Sequence, residues 1–325
     1  MIRTKVGRAV TILIGLLVTG FFALVYANYQ HDIHQAREHI LVGSQIVETP
    51  CGPIEYAIAG DGPPVLVVHG AGGGYDQSMD ASKALVQSGF RVIAMSRFGY
   101  LRTPLPADAS AVAQADAHAC LIDALNVRRA AVIGVSAGAP SSMQFALRHP
   151  ERTAALVLLV PAVYVPRPGG APPMRTPAGT KFLLDTALQS DFLFWAAPQL
   201  ARQTVIRALL ATPPAVVENA SADEQARVAQ VLGHILPVSP RRLGLLNDAS
   251  VTSTLTRYEL ERIAVPTLIL SVADDLFGTF EGARYSAEYI PRARFIGYPS
   301  GGHLWVGHQK EVISEITAFL KKMKD

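Results

Sequence analysis

Residues 130–148 read AAVIGVSAGAPSSMQFALR. The apolar run Ala130–Ile133 predicts a buried strand. Ala137–Arg148 predicts a helix, with alanine favouring it. Between them stands Gly134-Val135-Ser136-Ala137-Gly138, a G-x-S-x-G string in a strand-to-helix context. A turn this sharp strains the serine backbone, and glycines two positions to either side remove Cβ atoms that would clash. The Ser136 hydroxyl is then held above the C-terminal edge of a sheet, at a helix N-terminus whose dipole favours a developing anion. A plain N-cap serine has the same local pattern, so the reading depends on what else the chain supplies.

A serine hydroxyl is a poor nucleophile until a base takes its proton. Nine histidines are candidates. His31, His34 and His39 fall in a polar segment near the N-terminus, His118 and His149 on or at the end of helices, and His234 in a helical region. His303 follows Pro299-Ser300-Gly301-Gly302 after a predicted strand and precedes the last helix, in a loop on the side where Ser136 projects; His308 is the second choice. The imidazole needs a carboxylate to fix its tautomer. The strand Thr267–Leu270 runs into Ser271-Val272-Ala273-Asp274-Asp275-Leu276-Phe277, with both aspartates at its C-terminal end. One is expected at the imidazole, the other as a solvated or loop-capping group. The chain order is Ser, Asp, His.

An anion formed at the substrate also needs donors. Val65–Val68 runs into His69-Gly70-Ala71-Gly72-Gly73-Gly74, a loop able to aim backbone N–H groups at an oxygen. Ala71 and Ala137 are the expected donors. The run lacks both the Gly-Lys-Ser/Thr ending of a P-loop and the G-x-G-x-x-G spacing of a dinucleotide site. His69 reads as a residue holding the loop.

Around these motifs, strands expected at Ile54–Ala59, Val65–Val68, Arg91–Met95, Ala130–Ile133, Ala155–Val160, Pro266–Leu270 and Ala293–Tyr298 alternate with helices expected at Ser82–Gln87, Ala111–Leu125, Ala137–Arg148, Ala283–Tyr289 and Lys310–Lys321. This is the rhythm of parallel βαβ units. Residues 161–262 break it, opening on a proline- and glycine-rich stretch and continuing with helical patterns at Phe182–Leu188, Leu200–Leu210 and Ala222–Leu232. The organisation is then a basic segment 1–8, an apolar segment 9–27, a polar helical stalk 28–46, a first core part 47–160, a helical insertion 161–262 and a second core part 263–325.

Ala9–Ala27 contains neither charge nor proline. As a helix it would span ~28 Å, close to the hydrocarbon core of a bilayer. Arg3, Lys5 and Arg8 precede it and Tyr26 and Tyr29 close it, so the positive-inside rule places everything after Tyr29 on the non-cytoplasmic side. It is either an uncleaved membrane anchor or a signal peptide with Val25-Tyr26-Ala27 as cleavage site, which would leave a secreted or periplasmic protein.

Half of the 325 residues are hydrophobic and 17% are charged, enough for a sizeable core and too apolar for disorder. The net charge of +3 resides in Arg3, Lys5 and Arg8; setting these three aside leaves 26 of the 29 basic side chains against 26 acidic ones. Nucleic acid is therefore excluded as a partner. Cys51 and Cys120 do not make a disulfide framework or a C-x-x-C pair, and Cys120 reads as a small core residue. No metal or cofactor is implied: no H-E-x-x-H or clustered ligand set occurs.

The glycine loop, the GVSAG turn, the strand-ADDLFGT segment and the SGGH loop, in this order, resemble the α/β-hydrolase superfamily over about Val47 to Leu320. The similarity is to its lidded esterase, proline iminopeptidase and C–C hydrolase branches. It implies a mostly parallel sheet flanked by helices, with 161–262 as a lid shaping substrate entry. Ser96-Arg97-Phe98-Gly99-Tyr100-Leu101-Arg102-Thr103 stands where the family has D-x-[PR]-G-x-G-x-S, with Ser96 for the aspartate and Leu101 for the second glycine. In the family the acid lies three residues after a glycine; Val272 takes that place and points to Asp275 over Asp274. Serine at the elbow separates the chain from the haloalkane dehalogenases and epoxide hydrolases, which use aspartate.

The resemblance thus implies a serine hydrolase of acyl bonds with Ser136, His303 and Asp275 as catalytic triad, Ala71 and Ala137 as oxyanion hole, and a carboxylic ester as the first substrate class. Proline iminopeptidase and C–C hydrolase chemistry use the same triad, as does an incidental cofactor-free haloperoxidase activity; a C–C hydrolase lid needs a basic clamp, for which Arg175, Arg202 and Arg207 are available. A tethered, non-catalytic binding protein is the rival of another class. The partners expected are a small acyl substrate and the membrane.

Overall fold

The computed structural model describes residues 2–166, 186 and 188–323. The first helix, α1 (Ile2–His39), joins the apolar segment to the stalk without a break. Then come β1 (Gln45–Thr49), β2 (Gly52–Ala59), β3 (Pro64–Val68), α2 (Tyr75–Ala81), α3 (Lys83–Gln87), β4 (Arg91–Met95), α4 (Ala111–Ala124), β5 (Ala130–Val135), α5 (Ala139–Arg148) and β6 (Thr153–Leu159). The helices α6 (Asp191–Leu209), α7 (Pro214–Glu218), α8 (Ala222–Gly233) and α9 (Arg242–Ser253) follow. The chain closes with β7 (Thr267–Val272), α10 (Thr279–Tyr289), β8 (Ala293–Tyr298) and α11 (Gln309–Lys321).

The strands form one sheet in the order β1-β2-β4-β3-β5-β6-β7-β8. The pairs β1–β2 and β2–β4 are antiparallel and all others parallel. The central parallel strands β3, β5 and β6 read as apolar runs because both faces are covered. Leu66, Val68 and Val132 enter one core layer, and Val65, Val67 and Ile133 the other. Loops leaving the C-terminal ends of β3, β5, β7 and β8 therefore meet above one edge of the sheet, where ligands bind in open α/β sheets.

The sheet begins with β1 at Gln45, inside the segment assigned to the stalk, because Gln45–Thr49 pairs with Gly52–Tyr56. Helix α2 escaped the sequence reading, as YDQSMDA has no apolar repeat. The cysteines differ more. Cys51, in the turn between β1 and β2, is disulfide-bonded to Cys120 of α4, with Cα atoms 6.1 Å apart. The two residues lie 69 positions apart, and only the packing of the hairpin on α4 brings them together.

Among the described residues, 161–262 contain helices and no strand. They hold a small core of their own, with Phe194, Ile206, Val228 and Ile235 packed around Leu304 and Val306. The pattern expected at Phe182–Leu188 lies largely outside the described residues. Helix α6 starts earlier than expected, at Asp191, and carries Pro198 and a kink at Ala201. Val10–His39 is long and apolar enough to cross a membrane, by length and composition.

Candidate active site

Ser136 has φ +49, in the left-handed region, and follows β5 directly. A short 3-10 turn, Ser136–Gly138, separates it from α5, so the α-helix begins two residues later than its sequence pattern suggests. The flanking glycines are needed by close approach. A Cβ on Gly134 would sit 2.5 Å from Ser142 Oγ, and one on Gly138 2.5 Å from the Val68 carbonyl oxygen. Helix α5 and the end of β3 thus press on the serine from two sides.

His303 Nε2 lies 2.8 Å from Ser136 Oγ, and His303 Nδ1 lies 2.8 Å from Asp275 Oδ2. Both His303 and Asp275 are buried. Burial alone would raise the Asp275 carboxyl, but the His303 charge and hydrogen bonds from His303, Thr279 and the Phe277 amide outweigh it and hold the group below the usual carboxylate range. Thr279 Oγ1 donates to Asp275 Oδ2 and the Phe277 N–H to Oδ1 at 2.9 Å. The neighbouring Asp274 faces elsewhere. Its Oδ1 accepts the Gly302 N–H at 2.7 Å, bracing the loop that carries His303. His308, the second-choice base, pairs with Glu311.

The insertion holds the loops of Asp275 and His303 together. The carbonyl of Ala211, a residue at φ +43, accepts the N–H groups of Leu276 and His303 at 3.0 and 3.3 Å. Thr212 Oγ1 accepts the Leu304 N–H at 3.3 Å, and a Cβ on Gly302 would strike Thr212.

The glycine loop after β3 packs against the serine: a Cβ on Gly70 would lie 3.1 Å from Ser136 Cβ. Ala71 lines the same cavity as Ser136 and His303, and Ala137 is the residue after the serine. His69 accepts the Arg97 N–H on Nε2 at 3.0 Å, so Nδ1 carries the proton donated to the Gly70 carbonyl at 2.7 Å. Burial, reinforced by Arg97, pushes its pKa well below the ordinary value and keeps it neutral. Arg97 donates to the carbonyls of His69 and Gly70 and forms a bidentate pair with Asp248, both contacts 2.6 Å. Tyr100 O–H donates to Asp248 at 2.6 Å and accepts the Gly72 N–H at 3.1 Å. Arg241, fully buried, grips Asp76 and the Gly73 carbonyl.

Asp248 and Arg241 were missed from sequence because they lie in the insertion, far along the chain. The readable half of the signal was Arg97 and Tyr100, in the segment that departs from the family pattern. Ser96, in place of the aspartate, donates to buried Glu55 at 2.8 Å and accepts the Tyr75 N–H.

Ser136 and His303 open onto a cavity of about 520 Å³ walled mainly by apolar side chains, among them Leu159, Leu209, Val231, Ile235, Val312 and Ile316. One group of potential metal donors occurs among the described residues. His39, Asp80 and His234, from α1, α2 and the end of α8, bring ligand atoms within 4.8 Å of one another. Lys83 Nζ already pairs with Asp80 at 2.7 Å, and His234 Nε2, whose pKa burial lowers, is 3.1 Å from its other oxygen. A hydroxyl, an imidazole and a carboxylate in one hydrogen-bonded line, beside a glycine loop and an apolar cavity, can carry out nucleophilic acyl transfer.

The family model for the alpha/beta hydrolase fold matches residues 63–306. The chain belongs to that family and is an enzyme of the hydrolase class. It is similar to an uncharacterised hydrolase, YcgS, of Bacillus subtilis, with 27% identity over 290 residues covering 83% of this chain and 95% of that one. Over 113 residues it is 31% identical to a 2-hydroxy-6-oxo-6-phenylhexa-2,4-dienoate hydrolase of Comamonas testosteroni, covering 33% of this chain and 40% of that one. Among solved structures, an alpha/beta hydrolase fold protein from Nakamurella multipartita is 29% identical with a TM-score of 0.67, covering 86% of this chain and 99% of that one. An esterase from Exiguobacterium antarcticum shares the fold at 18% identity, with a TM-score of 0.65 and coverage of 87% and 100%.

Proposed function

We propose that the protein is a membrane-anchored serine hydrolase that cleaves carboxylic esters. The carrying observation is the unbroken line Asp275–His303–Ser136, with 2.8 Å at both imidazole nitrogens. Ser136 Oγ attacks the carbonyl carbon while His303 Nε2 takes its proton. Asp275 holds the Nδ1 proton and stabilises the imidazolium. The N–H groups of Ala71 and Ala137 bind the oxyanion, a contribution of ~3 kcal/mol per donor. His303 then delivers the proton to the leaving alcohol, leaving an acyl-enzyme. Water, activated by the same imidazole, releases the acid and restores the Ser136 hydroxyl.

The apolar cavity suits an acyl chain. The local similarity to a C–C hydrolase favours a second reading, cleavage of an acidic dienoate. Against it, Arg202 and Arg207 are exposed and do not line the cavity, Arg175 lies outside the described residues, and the lining Arg227 is committed to Glu224 and the Leu304 carbonyl. The apolar, exposed part of α1 supports an anchor, and the Cys51–Cys120 bond supports an oxidising, non-cytoplasmic location.

Labelling with a fluorophosphonate probe tests the reading. Wild type should label, and Ser136→Ala and His303→Ala should not. A well-folded wild type that fails to label would overturn the mechanism and favour the tethered binding protein.

A further inference from the structure

We infer that the start of α6 is seated in the outer headgroup layer of the bilayer that α1 crosses, and that the cavity is supplied with acyl esters from that lipid phase; the substrate half of this inference rests on the ester-hydrolase reading above. The argument begins with α1, which is not a loose tether. Its second half packs on the body: Ile33 is 1% exposed, Asp32 accepts the Trp195 Nε1–H at 2.7 Å and Arg37 pairs with buried Asp191 at 3.2 Å. Because the helix is continuous from the apolar segment to His39, these contacts set the height of the body above the bilayer.

Tyr29 lies two residues past Ala27, a rise of ~3 Å. The headgroup layer is about 5–7 Å thick on each side, so Tyr29 falls within it. Two side chains of α6 lie against its ring, Phe192 with centroids 5.1 Å apart and Trp195 at 5.6 Å. With exposed Tyr26 they form a belt of four aromatic rings at one level, where amphipathic rings partition at a bilayer surface. The polar partners sit higher: Asp32 is ~7.5 Å past Ala27 and Arg37 ~15 Å. Trp195 thus offers its N–H away from the membrane.

The rest of the surface agrees. From Phe192 to Leu200 the sequence FLFWAAPQL carries no charge, and Phe192, Leu193 and Leu200 are all exposed. Asp191, at the helix start, is buried and engaged by Arg37 and Ser239. Single exposed apolar residues are ordinary, but a contiguous apolar end beside a membrane-spanning helix marks a lipid-facing surface. The other end of α6 reaches the site, where Ala208, Leu209 and Leu210 line the cavity. One element, kinked at Ala201, therefore runs from headgroup level to the wall of the cavity onto which Ser136 opens.

Full-length protein in phosphatidylcholine–phosphatidylglycerol vesicles tests both halves. A lipid carrying a nitroxide at its headgroup should quench tryptophan fluorescence in wild type, and most of that quenching should vanish in Trp195→Phe, which leaves Trp305. Equal quenching in the two proteins overturns the seating, whatever the activity. With Phe192→Glu/Leu193→Glu, hydrolysis of a long-chain ester held in the vesicles should fall several-fold while a short water-soluble ester is cleaved as by wild type. Equal rates on the vesicle ester in wild type and variant overturn supply from lipid. A wild type that cleaves neither ester and takes no fluorophosphonate removes the hydrolase reading and the supply half, while the quenching still decides the seating.

Discussion

The sheet and the helical insertion contribute to the site in opposite ways. The sheet positions Ser136 through short-range chemistry: a strand, two glycines and a helix, adjacent in sequence and packed by apolar contacts. The insertion positions what surrounds it through long-range polar contacts. Asp248 holds Arg97 and Tyr100 under the glycine loop, Arg241 holds Asp76 and Gly73, and Ala211 and Thr212 clasp the loops of Asp275 and His303. A buried guanidinium is tolerable only when a carboxylate pairs its charge, as Asp248 does for Arg97 and Asp76 for Arg241. The geometry of the glycine loop therefore depends on a segment that would otherwise be regarded as a cover.

The largest effect that would sharpen this contrast lies in the sheet half. Asp275→Asn should lower kcat by ~10⁴-fold, because the imidazole loses the partner that sets its tautomer. Asp274→Ala, which removes only a brace of the Gly302 N–H, should cost less than about tenfold. Steady-state kinetics on a short ester check both, and the reverse order would move the acid to Asp274.

The next effect lies in the insertion. Asp248→Ala leaves Arg97 buried without its carboxylate and should cost ~3–5 kcal/mol in urea unfolding, with kcat reduced as the glycine loop relaxes. The exposed Arg294–Glu315 pair is the control: Glu315→Ala should cost less than ~1 kcal/mol. Equal costs would show that the insertion does not hold the loop.

The last effect, spread over several pH units and absent at neutral pH, is a pH dependence within the sheet half. His118 is fully buried between Met95 and Ser141, and burial, with Arg97 and His149 adding to it, lowers its pKa from 6.5 to about 3. The unfolded chain therefore binds the extra proton. The stability it contributes is complete above pH 6.5 and is lost as pH falls toward 3, with a slope approaching ~1.4 kcal/mol per pH unit. His118→Gln should flatten that acid limb, measured as urea midpoints between pH 7 and 4. An unchanged slope would place the titrating group elsewhere.

Legibility followed the range of the interactions. The strand Arg91–Met95 occurs where its apolar run predicted it, because a strand buried on both faces writes itself into consecutive residues; Ala293–Tyr298, a partly buried edge strand, occurs where the strand–helix alternation placed it. The elbow was legible for the same reason: its glycines and its serine share one turn. Asp274 and Asp275 remained open until the family comparison favoured Asp275, and the fold separates them by direction, since successive side chains after a strand point to different neighbours. The Cys51–Cys120 bond was unreadable because nothing local distinguishes a half-buried cysteine from a paired one.

The sequence by itself determined the fold family, the elbow serine, the chain order of serine, aspartate and histidine, and an apolar N-terminal segment long enough to cross a bilayer, since each is carried by neighbouring residues or by simple periodicity. Only the tertiary structure decided which aspartate meets His303, that Asp248 and Arg241 support the glycine loop, and that α6 stands against α1 at the level of Tyr29. These are contacts between residues tens to more than a hundred positions apart, and their free energy depends on burial and pairing that exist only once the chain has folded.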